Sequence, residues 1–173
     1  MKRRVSAWIC LSLALGVSVL SASDVGSLAK RELATMGAAI SLPSAWVLIE
    51  EFEDGVVVLR NEGDSPAFSI TMTPDIPART GMKPSEYGAE LLAFAAEEGA
   101  QISRVQDGSF QKFRVTYSFD TDGDKTCVTD MVVANNSTGT LYFIAWQVPE
   151  LKARQYEPLR DAILASLQFD PKR

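Results

Sequence analysis

From Ala67 to Thr73 the apolar residues Phe68, Ile70 and Met72 alternate with Ser69, Thr71 and Thr73, a period of two that predicts a strand with one buried face. The same period sets Phe113, Val115, Tyr117 and Phe119 against Lys112, Arg114, Thr116 and Ser118. Thr140 to Val148 is apolar on both faces, which predicts a central strand covered on two sides. Turn dipeptides divide these runs. Asp54-Gly55 separates Trp46 to Phe52 from Val56 to Arg60, Asp107-Gly108 follows a strand from Gln101 to Val105, and Asp122-Gly123 leads into Lys125 to Ala134. Asp-Gly between apolar runs marks a hairpin.

Helical spacing appears twice. Pro84 is preset for a first helical turn, Glu86 suits the positive end of the dipole, Tyr87, Leu91, Phe94 and Ala95 form a stripe, and Gly99 offers a left-handed stop. The acidic residues Glu86, Glu90, Glu97 and Glu98 lie largely off that stripe and read as a solvated face. After the stop at Pro149, Pro158 resets helical geometry and Leu159, Ala162, Ile163 and Leu167 form the stripe of a closing helix. Residues 24–39 are rich in Gly, Ala and Ser with a weak rhythm at Leu28, Leu33 and Met36, and read as a tether or loose helix. The expectation is one α+β domain over 40–173, an antiparallel β-sheet flanked by helices.

The start of the chain changes the compartment. Lys2, Arg3 and Arg4 precede an apolar run from Val5 to Leu20 and the small residues Ser21, Ala22 and Ser23, the pattern of a secretory signal peptide over 1–23. The run is shorter than the roughly 20 residues a spanning helix prefers. An exported chain, periplasmic or secreted, is expected. Cleavage near Ser23 removes three basic residues and no acidic one, so the formal net charge moves from -5 to -8. Nucleic acid and anionic membranes both need a basic stripe, and the remaining Lys and Arg are scattered, so neither is an expected partner. Cleavage also removes Cys10 and leaves Cys127 as the one mature thiol, expected to be buried.

Composition narrows the chemistry further. The 173 residues contain no histidine, which removes imidazole bases and metal ligands. Asp120, Asp122, Asp124 and Asp130 form the densest carboxylate group, and Asp-Thr-Asp-Gly-Asp offers hard oxygen ligands for calcium at Asp120, Asp122 and Asp124. The loop departs from the EF-hand pattern at Lys125 and Met131, and aspartate with glycine is also what a tight hairpin turn requires. Asn135 and Asn136 each begin a glycosylation sequon. Trp46, Tyr142 and Trp146, with Phe143, could line a ligand groove or pack in the core. Gly-rich phosphate loops and paired-cysteine zinc patterns are absent from the sequence. No cofactor is implied, and an enzyme is not expected.

The order of these signals resembles a known family. Leu42-Pro43-Ser44-Ala45-Trp46 opens a hairpin, a helix begins near Pro84, a meander follows, and Ala162-Ile163-Leu164-Ala165-Ser166-Leu167-Gln168-Phe169 closes the chain. Over about 40–169 this is similar to the PsbP-like, or Mog1/DcrB-like, proteins. The resemblance implies an α/β/α sandwich and an accessory, non-catalytic role, since such proteins include extrinsic photosystem subunits, a Ran-binding factor, periplasmic proteins and effector chaperones. The expected activity is binding of a protein partner whose identity stays open, as does the oligomeric state. A small-ligand or calcium-binding periplasmic protein is the alternative, and a carboxylate-based hydrolase a further one.

Overall fold

A computed structural model describes residues 28–44, 46–51, 56–61 and 66–172. The predicted leader and the Asp54-Gly55 turn lie outside the described residues. In chain order the elements are β1 (Leu28–Leu33), β2 (Ala38–Pro43), β3 (Trp46–Glu51), β4 (Val56–Asn61), β5 (Ala67–Thr73), α1 (Ile76–Thr80), α2 (Pro84–Leu91) and α3 (Ala93–Glu97). They continue with β6 (Ser103–Asp107), β7 (Phe110–Thr121), β8 (Asp124–Asn135), β9 (Thr140–Pro149), α4 (Ala153–Ser166) and β10 (Gln168–Phe169).

Seven strands form an antiparallel sheet in the order β3-β4-β5-β9-β8-β7-β6, and β1-β2-β10 form a smaller one. The alternation along β9 divides the core. Tyr142, Ile144 and Trp146 point to one face and pack with Ile40 and Leu42 of β2 and Ile163 of α4. Leu141 points to the other, with Ile76, Leu92, Phe113, Val115 and Val132 beneath α1 to α3. The large sheet therefore lies between a helical layer and a layer made of α4 and the small sheet, the α+β sandwich expected. The central place of β9 between β5 and β8 matches its two-sided apolar pattern.

Residues 28–39 depart from the expected tether or loose helix. Leu28–Leu33 is a strand in register with β2, from Leu28 opposite Pro43 to Leu33 opposite Ala38. A 3-10 turn over Ala34–Met36 and Gly37, at φ 60, reverse the chain. Met36 and Leu33 enter the core, and burial of those two side chains outweighs the weak local propensity of the segment.

The helix expected from Pro84 to Gly99 is broken at Leu92 into α2 and α3. Its buried positions are Pro84, Gly88, Leu92 and Ala95, whereas Phe94 is 45% exposed and Tyr87 and Leu91 are half-buried. The stripe is rotated by one residue because a glycine makes the contact. A Cβ at Gly88 would lie 2.6 Å from Val132 Cγ1, so its absence sets how closely α2 approaches the sheet. In the preceding loop, Ile76 is buried and anchors the single turn α1, which ends at Gly81 with φ 75. The closing helix starts at Ala153, a turn before Pro158, which lies inside it.

Candidate functional site

The sequence-predicted residues do not gather at one place. Trp46 and Trp146 are buried and stacked, with ring centroids 6.0 Å apart. Tyr142 is buried and its hydroxyl donates to the Met36 carbonyl at 2.9 Å. These rings are core, which corrects their reading as lining of a ligand groove: strands covered on both faces direct their largest apolar side chains inward. Cys127 is half-buried rather than buried, and burial pushes its thiol above the usual range.

The calcium reading is corrected as well. Asp120, Asp122 and Asp124 are exposed around the β7–β8 turn. Asp120 Oδ1 accepts the Gly123 N–H at 2.8 Å, and Asp122 and Gly123 take φ 55 and 91. The first carboxylate thus closes a hairpin turn, and among the described residues no group of three His, Cys, Asp or Glu side chains is placed to hold a metal ion. Asp130 lies on β8, apart from that turn. It is buried and accepts the Tyr117 hydroxyl at 2.9 Å; desolvation pushes its carboxyl up to about 6, against the hydrogen bond from Tyr117, which lowers it.

Other polar side chains are tied into structure. Arg160 of α4 is buried, with its guanidinium bonded to Glu157 at 3.1 Å and Asp161 at 3.0 Å, and Asp161 also takes Arg114 of β7 at 2.7 Å. The Arg114–Asp161 bond, with Arg160 Nη1 donating to Thr129 Oγ1 of β8 at 3.4 Å, fastens α4 to the sheet. Asn135 is buried, donating to the Pro171 carbonyl at 3.1 Å, and Asn136 exchanges bonds with Ser85. Ser109 and Lys112 have the Ser-x-x-Lys spacing of some nucleophile and base pairs. Here they occupy a turn and a strand, where residues three apart do not share a face, and Lys112 is paired with Asp107.

Among the described residues, the end of the sheet at β6 and β7 is open. A groove of about 440 Å³ runs between α2 and this hairpin, lined by Ser85, Glu86, Ala89, Arg104, Gln111 and Phe113 among others. A second of about 430 Å³ lies by the turn, between Phe110 and Lys112 and the C-terminal residues Leu167, Phe169 and Pro171. Each has apolar ring surface beside charged groups. The strand expected from Gln101 to Val105 forms two residues later, over Ser103–Asp107, with all of its residues exposed.

A helical layer, an antiparallel seven-stranded sheet and a second layer of helix and small sheet define the architecture. It is the PsbP/Mog1-like fold. The solution structure of cyanobacterial PsbP (CyanoP) from Synechocystis sp. PCC 6803 superposes with a TM-score of 0.55 at 16% identity, covering 92% of this chain and 99% of that one. The Ran-binding protein Mog1p of Saccharomyces cerevisiae gives 0.54 at 12%, covering 82% and 94%. A Bacteroides thetaiotaomicron VPI-5482 protein gives 0.54 at 17%, covering 82% of this chain, which spans 48% of that longer one. No protein-family model matches the sequence, and no curated protein does.

Proposed function

We propose that this chain is an exported accessory module that acts by binding another protein and not by making or breaking bonds. The observation that carries the reading is the contrast between its two kinds of surface. Asp130, Arg160, Asp161 and Asn135 are committed to internal hydrogen bonds, whereas the β6–β7 end offers grooves with apolar floors and charged rims. That mixture suits a protein surface better than an enclosed small molecule. The fold is shared with a protein whose described property is Ran binding, which supports contact as the mode of action without naming the partner. Export rests on the basic start, the apolar run and the small residues before Asp24.

Ala89→Arg fills the α2–β6 groove at a half-buried position. Affinity isolation from the exported fraction is expected to recover a stoichiometric partner with the parent protein and to lose it with the variant, at unchanged melting temperature. Equal recovery by both proteins, or turnover of a substrate by the purified chain, contradicts the proposal.

A further inference from the structure

The edge strands β1 and β6 differ in how they treat their backbone. β1 carries Lys30, Arg31 and Glu32 as exposed charges along its edge, which discourages pairing with another strand. On β6 the polar side chains instead turn back onto their own hairpin. Ser103 Oγ donates to the Arg114 carbonyl at 3.2 Å, Gln106 Nε2 donates to the Gly108 carbonyl at 2.7 Å, Arg104 lies over the Phe113 ring at 5.6 Å, and Asp107 takes the Lys112 ammonium. Val105, in the middle, is 59% exposed. The edge is left as bare backbone around one apolar side chain.

The register of the hairpin fixes which backbone groups are free. Asp107 and Phe110 flank a two-residue turn, so that pair exchanges backbone hydrogen bonds, as do Val105 with Lys112 and Ser103 with Arg114. Arg104 and Gln106 lie at the alternate positions and direct their N–H and C=O groups outward, away from β7.

We propose that β6 pairs antiparallel with β6 of a second copy of this chain, centred on Val105, so that the sheet continues across a twofold axis. Arg104 then faces Gln106 of the second copy, and their outward groups exchange hydrogen bonds in both directions. Val105 faces Val105 of the second copy at a site without backbone bonds, where facing side chains approach most closely. Ser103 faces Asp107 of the second copy. A slip by one residue sets outward groups against residues already bonded to β7, and a slip by two sets either Arg104 against Arg104 or Val105 against Asp107. The strand is its own best complement only in the centred register. The twofold stands perpendicular to the sheet, so both α2 helices lie on one side of the seam, the side on which Arg104 and Glu86 line the groove. The seam borders the groove of the binding reading and shares Arg104 with it, but pairing is read from the mass of the chain alone and binding from recovery of a different protein, so either can fail alone.

Light scattering on the purified protein tests it together with Gln106→Pro and cysteine cross-linking in a background where Cys10 and Cys127 are serine. The parent is expected at twice the chain mass. Gln106→Pro is expected at one chain mass with its melting temperature unchanged, because the lost N–H faces away from β7 and an edge strand accepts proline there. Val105→Cys is expected to form an intermolecular disulfide on mild oxidation, at least tenfold faster than Arg104→Cys. A parent that stays monomeric at every concentration overturns the proposal, as does a folded Gln106→Pro that still dimerises. If Gln106→Pro does not fold, the cysteine pair decides: equal rates at the two positions overturn the proposal.

Discussion

The phenol of Tyr117 reaches from β7 to β8 and donates its hydrogen bond to Oδ2 of Asp130 at 2.9 Å. The residues are diagonal neighbours on the face beneath α2 and α3, since Tyr117 is in register with Val128 and Val115 with Asp130. Phe94 meets the same phenol edge-on, with centroids 5.3 Å apart. One side chain therefore satisfies a buried acid through its hydroxyl and carries an aromatic contact from α3 through its ring.

Burial raises the Asp130 carboxyl from 3.8 to about 6, and the sign of the stability effect follows. Between about pH 4 and 6 the folded chain holds this proton while the unfolded chain loses it, so the contribution of Asp130 falls as pH rises through that window and is level above it. The shift corresponds to a change on the order of 3 kcal/mol. Asp130→Asn keeps an acceptor for Tyr117 and removes the titration. Melting curves from pH 4 to 7.5 are expected to show the variant gaining stability relative to the parent as pH rises. Parallel curves contradict the assignment.

Gly88 should resist substitution. Alanine brings a Cβ against Val132 Cγ1, a branched side chain with little freedom to move. Urea unfolding of Gly88→Ala is expected to show a loss of about 1 to 3 kcal/mol, recovered in part by Val132→Ala in the same chain. An unchanged midpoint shows that α2 is free to shift.

Trp146 is buried against Trp46. Trp146→Ala is expected to cost about 3 to 5 kcal/mol, seen in the same unfolding measurement. A neutral result restores these rings as a binding surface.

Calcium is expected to leave the melting temperature unchanged, because the Asp120 carboxylate already closes its own turn on the Gly123 N–H. A cation held by the folded state alone raises that temperature with concentration, so a dose-dependent rise that Asp124→Asn abolishes returns the β7–β8 turn to consideration as a metal site.

Much of the sheet was legible because its strands carry the two-residue period in uninterrupted form. Phe68, Ile70 and Met72 face as their spacing predicts, the Asp122-Gly123 turn falls where it is expected, and the turn expected at Asp107-Gly108 forms one residue later, at Gly108-Ser109. What was not legible depends on tertiary contact. Leu28 to Leu33 has little strand propensity of its own and is held by pairing with β2. Gly88 packs through its backbone, which a hydrophobic stripe does not register, so the inward face lies one residue beyond the stripe that the spacing predicts. Asp130 shares its stretch with the turn aspartates, and only the register that places Tyr117 beside it separates a buried acid from exposed ones. The open end at β6 had no motif, since its character lies in what does not cover it.

Contact at the β6–β7 end is open to site-specific photocrosslinking in the producing cell. A photoreactive residue at Gln111, in the α2–β6 groove, is expected to give one discrete adduct with a different protein, while the same residue at exposed Glu157 on α4 gives none. Adducts at Glu157 with Gln111 silent, or no adduct from either position, contradict a binding role for this end of the sheet.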